Sequence, residues 1–413
     1  MRIDHSQRKS TPPVPASRNV GWLITFTGST INVILGSWYA WSVISKAIAR
    51  DWGWSQAQCN LPFAVATVSF SLTMIFAGRL QDKFGPRLVA ICDGTLLGSA
   101  MMLSSLSQDP WAITMSYGVL GGLGIGVGYS GTVPSALKWF PPENKGLISG
   151  IVVAGVGLAA VFMSPLTHYL LGVFGIPGTF RIMGIGTIAT VPLLGMMLRN
   201  PPEGYQAAAA SRADPAIPAT HRDRDWPEMV RTPQFYALWL MYVLSAAPGL
   251  MIIANAVQLL SLPEEKIFDP VIAPMIVAAF STCGRVFGGF ISDLIGRRRT
   301  LVAVFLLQAA NVGGLSLHGT QPALMAGFAL AGLLYGSFFA LLPAVITDFY
   351  GLKNLGVNYG LTATAFGAAG LLGSLLGGYI KDLLRSYDPA YWIFAGMLAT
   401  AALLASVTRT PDD

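Results

Sequence analysis

Apolar residues in this chain come in long runs, with the polar residues gathered between them. Twelve runs of 18 or more residues stand out, at about 21–46, 61–79, 88–107, 112–136, 146–171, 178–198, 233–258, 270–293, 300–317, 323–347, 357–384 and 390–407. A helix of that length crosses the ~30 Å hydrocarbon core of a bilayer. Lipid offers backbone groups no partner, so the runs must bond internally as helices. The pattern predicts an all-α, polytopic membrane protein with twelve transmembrane helices.

The polar stretches between the runs suggest how the helices are grouped. The longest, at residues 199–232, is rich in Ala, Pro and charge and separates six runs from six; it reads as a cytoplasmic linker between two bundles. The expected division is a tail at 1–20, a six-helix bundle at 21–198, the linker at 199–232, a second bundle at 233–407 and a short tail at 408–413. The halves also repeat in sequence. "GRLQDKFGPR" from Gly78 and "GFISDLIGRR" from Gly289 share G-x-[LI]-x-D-x-[FI]-G-x-R at a separation of 211 residues, and "NKGLISG" and "NLGVNYG" share N-x-G-x-x-x-G at 210. Two agreeing offsets imply two pseudo-symmetric bundles. The first motif suits a tight cytoplasmic hairpin: Gly78, Gly85, Gly289 and Gly296 for the turn, Asp82 and Asp293 near helix ends, and Arg87 and Arg298 held out of the lipid.

Composition agrees with a membrane protein. Of all residues 53% are hydrophobic and 11% charged, against about 25% charged in soluble domains. With the N-terminus inside, 19 of the 26 Lys and Arg fall in cytoplasmic segments, 6 in external ones, and Arg285 alone lies within a span. That bias follows the positive-inside rule and gives the net charge of +6 a topological meaning, with no call for nucleic acid. Both termini are expected in the cytoplasm. The polar first twenty residues read as a tail, with no cleavage site of a signal peptide following. Cys59, Cys92 and Cys283 lie in or beside separate spans and suggest neither a disulfide framework nor a metal site. No cofactor is implied.

Twelve spans in two halves with a duplicated loop resemble the major facilitator superfamily over nearly the whole chain. Two stretches, "GSWYAWSV" (Gly36 to Val43) and "KWFPPENKGLISGIVVAG" (Lys138 to Gly155), look like the signatures of monocarboxylate transporters, and "EMVRTPQFYALW" (Glu228 to Trp239) is similar to the bacterial oxalate–formate antiporter group. The resemblance implies a secondary transporter of the bacterial inner membrane, working as a monomer. Glycines spaced by four, Gly124 and Gly128 with Gly122 and Gly126 beside them in the fourth span and Gly373 and Gly377 in the eleventh, predict close helix contacts.

Arg285 is the residue that most needs explaining. It lies eight residues before Asp293, hence ~12 Å from the cytoplasmic end of its helix at 1.5 Å per residue, beyond the reach of a snorkelling side chain. A charge so placed costs ~2.5 kcal/mol or more when it faces lipid, and is expected instead to face a cavity and an anion, the alternative being a structural ion pair inside the bundle, for which no acid is obviously matched in depth. The resemblance implies the same role, since in both related groups the eighth-span arginine binds the substrate carboxylate. It also exposes two departures. Phe366 stands where the oxalate antiporter carries a second basic residue, and no charge occurs from Tyr359 to Tyr379, so one carboxylate is expected in place of two. Ser281 stands where the animal monocarboxylate transporters have an aspartate, and the first span has no lysine before Lys46.

Tyr129, Tyr335, Tyr39 and Asn255 are the polar residues expected to orient a substrate without adding charge. Asp93 is the one proton carrier to be named within the spans, although its shallow position suggests that it faces the loop charges. His168 and His318 fall at external ends of spans. The expected function is alternating-access transport of a small monocarboxylate such as L-lactate, coupled to protons. Formate or oxalate exchange is the alternative, and a transporter-like receptor is a third reading that the short tails disfavour. H-E-x-x-H, paired acids and Ser-His pairs are missing from the spans, so an enzyme is not expected.

Overall fold

The computed structural model describes residues 18–140, 145–202, 224–351 and 355–411, and among these the regular structure is helical throughout. Most of the N-terminal tail and of the expected linker lie outside the described residues. Eleven helical segments are long and apolar enough to cross a membrane. Asn19–Trp52, Gln56–Ala77, Phe84–Ser104 and Pro110–Leu137 are the first four spans; Pro233–Leu260, Ile272–Ser292, Arg297–Leu317, Gln321–Tyr350, Val357–Leu384 and Asp388–Val407 are the seventh to twelfth.

The remaining segment, Gly150–Gly195, has 46 residues. At 1.5 Å per residue it would be about 70 Å long if straight, over twice the hydrocarbon core. It is not straight. Gly175 breaks the helix at φ 65°, a left-handed conformation that glycine adopts without strain. The Thr167 hydroxyl then reaches Met183 Sδ at 3.7 Å. Both residues stand eight positions from Gly175, so the chain doubles back there. Its two arms are the fifth and sixth spans, and the eleven segments supply twelve crossings.

The duplicated motif has one backbone shape. Gly85 (φ 80°, ψ 169°) and Gly296 (φ 90°, ψ 148°) break their helices in the same way, 211 residues apart. Arg87 Nε donates to the Leu198 carbonyl at 2.9 Å, tying the third span to the end of the sixth. The side chains of Asp82 and Asp293 and the surroundings of Gly78 lie outside the described residues, and Gly289 has open space where a Cβ would be.

Helix starts follow local chemistry. Ser55 forms a capping box with Gln58 at the second span, and Thr232 caps the seventh with Pro233 in its first turn; each supplies an acceptor to a first-turn N–H. The glycine-rich fourth span is gripped on two faces. Gly124 lies against the backbone of Leu97 and Gly128 against the Asp93 carboxylate in the third span, whereas Gly122 and Gly126 meet Ala66 and Phe70 carbonyls in the second. Gly373 of the eleventh span likewise abuts the Ala247 carbonyl of the seventh.

Hydrogen bonds between the halves gather at the end of the bundles away from the Gly85 and Gly296 breaks. Lys46 Nζ donates to Ser261 Oγ at 2.8 Å, and Gln258 Nε2 to Ser45 Oγ at 2.6 Å. Asp382 of the eleventh span accepts from the N–H groups of Gln56 and Ala57 at 3.0 and 2.9 Å, placing a carboxylate at the N-terminus of a helix in the other half, where the helix dipole favours it. At the centre of the cluster is Asn255. These bonds hold the two halves together at this end.

Candidate functional site

The eighth and tenth spans touch along their backbones. Gly284 packs on the Leu333 carbonyl, Gly336 on the Ser281 carbonyl and Gly288 on Ser337. Glycines thus stand on both sides of Arg285 along the seam, and this close approach holds its Cα in one place. The side chain crosses to the other half, where Nη1 donates to the Val153 carbonyl of the fifth span at 3.2 Å. Its Nε has no hydrogen-bond partner.

Several tyrosines lie within electrostatic reach of the guanidinium. Its charge acts on Tyr39, Tyr129, Tyr335 and Tyr359. The Tyr335 hydroxyl is buried without a partner, as is Ser281 Oγ one turn before Arg285. Tyr39 sits in a 3-10 turn, Gly36–Ala40, that interrupts the first span where Gly36 presses against Val156 and Ala159 of the fifth.

A wall of rings links the tyrosines of the two halves. Phe70 meets Tyr129 at 5.8 Å and Phe366 at 5.7 Å; Phe339 meets Phe366 at 5.7 Å and Tyr335 at 4.8 Å; Trp38 stacks on Phe366 at 6.2 Å. The site is thus one guanidinium, several phenols and an apolar aromatic side centred on Phe366. Such a site can neutralise one anionic group, accept or donate hydrogen bonds beside it, and enclose a small apolar remainder.

Arg285, Tyr39, Tyr129 and Tyr335 are therefore brought together, and Asn255 is not. Asn255 is fully buried in the cluster that joins the halves, where Oδ1 accepts from Asn60 Nδ2 at 3.0 Å, Gln56 Nε2 at 3.1 Å and Tyr387 Oη at 3.2 Å, and its own Nδ2 donates to the Met251 carbonyl. Burial, then the nearby Tyr391 and Asp382, raises the pKa of Tyr387 above that of an ordinary phenol and keeps it a donor. The amide that could have oriented a substrate is spent on closing the two halves.

Asp93 does not face the loop charges. It is fully buried and neither carboxylate oxygen has a hydrogen-bond partner. The missing Cβ of Gly128 leaves it room at the interface of the third and fourth spans, one residue from Tyr129. His168 is exposed with Nε2 3.8 Å from Asp269, and His318 Nδ1 lies 2.6 Å from the Gly314 carbonyl.

Tyr359, Trp38, Phe70 and Phe339 belong to the site and were not singled out from the sequence. Trp38 and Tyr359 lay within motifs already quoted, but nothing in the spacing of Phe70 or Phe339 separates a site-facing ring from a packed one.

The Major Facilitator Superfamily model matches residues 26–310 and 250–413. The chain is 30% identical over 356 residues to the oxalate:formate antiporter of Oxalobacter formigenes, covering 84% of this chain and 82% of that protein. It is 28% identical to the uncharacterized MFS-type transporter YhjX of Escherichia coli, over 84% of this chain and 85% of the relative, and 22% identical to mouse monocarboxylate transporter 14, over 93% and 88%. Among solved structures, an inward-facing, occupied bacterial homologue of the human lysosomal transporter Spinster superposes with a TM-score of 0.71 at 17% identity, covering 97% of this chain and 98% of that one. From its two halves of six spans, its duplicated loop and these matches, the chain belongs to the Major Facilitator Superfamily and is a membrane transporter.

Proposed function

We propose that this transporter carries a small monocarboxylate, such as L-lactate, by alternating access across the bacterial inner membrane, coupled to protons and working as a monomer with both termini in the cytoplasm. The observation that carries the proposal is the unfilled bonding capacity of Arg285 Nε and the Tyr335 hydroxyl within one aromatic-walled site. A carboxylate fills it. One oxygen pair takes the guanidinium, whose planar fork matches it, and the phenols orient what remains. Phe366, in the position where a second cation would serve a dicarboxylate, faces the substrate with a ring.

Binding also gives a reason for coupling. A bare guanidinium carried through an occluded state is unfavourable, and the bound anion neutralises it. Arginine keeps its proton at physiological pH, so any co-transported proton must ride elsewhere. Asp93 is proposed for that part, because a buried carboxylate without partners is costly unless neutral. Formate or oxalate exchange is a second reading, favoured by the 30% identity to the oxalate:formate antiporter.

The test is uptake of labelled lactate by proteoliposomes. An inward proton gradient should stimulate uptake by the native chain, and Asp93→Asn should abolish the stimulation while leaving lactate exchange intact. Uptake that requires a trans anion and ignores the gradient would favour exchange.

A further inference from the structure

A second cavity lies outside the transport site, within the second bundle. It has a volume of about 640 Å³ and opens where the seventh and ninth spans begin and the tenth and twelfth end, the side on which basic residues gather. Its inner wall is apolar, formed by Leu238, Met241, Leu301 and Val345, and the same four residues line an apolar pit that continues inward to Phe305 and Phe338. Its rim is basic. Arg297 is 3.6 Å from Asp348 and also bonds Ser292 Oγ. Arg298 and Arg409 line the same mouth, are exposed, and form no ion pair with another described residue.

This arrangement separates charge from hydrocarbon along one axis. Two guanidiniums beyond those balanced by Asp348 stand at the mouth, and four aliphatic side chains stand behind them. A free anion would use the rim and leave the apolar walls wet; a neutral hydrocarbon would fill the walls and leave the charges unmatched. An anionic amphiphile satisfies both. Basic pockets between helices on this side of a membrane suit the headgroups of anionic phospholipids, which are concentrated there, and a volume of this size is that of an ordinary ligand site.

We propose that the cavity is a site for an anionic phospholipid of the cytoplasmic leaflet, with its phosphate between Arg298 and Arg409 and part of an acyl chain along Leu238, Met241, Leu301 and Val345. The site does not involve Arg285 and stands or falls independently of the transported substrate.

The experiment uses the full chain purified in a neutral detergent. Thermal stability is followed while phosphatidylglycerol, phosphatidylcholine or inorganic phosphate is added, and retained lipid is counted by native mass spectrometry. Phosphatidylglycerol should raise the melting temperature saturably, whereas phosphatidylcholine and phosphate should not. The double variant R298Q/R409Q should need ~30-fold more phosphatidylglycerol for the same effect, from two lost headgroup contacts, and should retain less of it in the mass spectrum. Leu301→Trp, which keeps both charges and fills the apolar wall, should also weaken the lipid. Identical titrations for the native chain and the double variant would overturn the proposal, as would an equal response to phosphatidylcholine. A response to phosphate alone would identify a soluble anion and overturn it as well.

Discussion

Asn255→Leu should loosen the end of the transporter where the two halves are bonded around Asn255. The substitution keeps the volume of the side chain and removes Oδ1, which accepts hydrogen bonds from Gln56, Asn60 and Tyr387. Asn60 Nδ2 keeps a second acceptor, the Ser374 carbonyl at 2.8 Å, so the donors left without a partner are those of Gln56 and Tyr387. A buried donor left unsatisfied costs about 1–3 kcal/mol. With the Tyr387 donor buried and that of Gln56 only half-buried, the form closed at this end therefore loses ~2–4 kcal/mol, whereas a form open at this end, where water meets the same groups, loses little. That difference shifts the equilibrium by about 30-fold to several hundred-fold, comparable to the few kcal/mol that commonly separate two conformers. Spin labels at Gln58 and Glu264, both exposed near that cluster's end and on opposite halves, would report it by pulsed dipolar spectroscopy in a chain whose three cysteines are replaced. A longer distance population should emerge in Asn255→Leu beside the short one of the parent. Unchanged distances with an unchanged melting temperature would refute the assignment of Asn255 as the centre of the closure.

Three further outcomes follow from the site and its supports. Phe366→Lys should raise affinity for oxalate relative to lactate at least tenfold in a competition binding assay, because a second cation then meets a second carboxylate; an unchanged ratio would remove Phe366 from the substrate's surroundings. Gly336→Ala drives a methyl group into the Ser281 carbonyl and should cost about 1–3 kcal/mol by overpacking, read as a lower melting temperature together with weaker substrate binding. Gly289→Ala, whose added methyl meets nothing within 4 Å, should leave stability within about 0.5 kcal/mol.

Much of the architecture was legible because a bilayer enforces it. Spans must be long, apolar and helical, and a duplicated hairpin leaves the same glycine at the same offset, which Gly85 and Gly296 display as matching backbone breaks. Arg285 was legible because a lone charge at mid-depth has few uses. Depth, however, does not reveal azimuth. Asn255 and Tyr39 both looked like polar residues toward the outside, yet one lies in the cluster that joins the halves and the other within electrostatic reach of Arg285; the difference lies in which way each helix face turns, and the 3-10 turn at Gly36–Ala40 is part of it. Asp93 was misjudged for a related reason. Its distance from the helix end suggested contact with loop charges, but the space left by Gly128 in the neighbouring helix turns it inward. The seam that holds Arg285 was written in the sequence as Gly284 and Gly288 facing Gly332 and Gly336, four residues apart in each span, and only the packed pair shows that they meet.

The central claim is that one buried guanidinium binds one carboxylate, and equilibrium binding tests it most directly. Purified chain should bind labelled lactate and prefer it to oxalate. Arg285→Gln should weaken lactate by ~2–5 kcal/mol, the cost of truncating one partner of a buried charge pair, and Arg285→Lys should recover only part of that, because the ammonium lacks the planar fork. Lactate binding by both variants at the strength of the native chain would contradict the account.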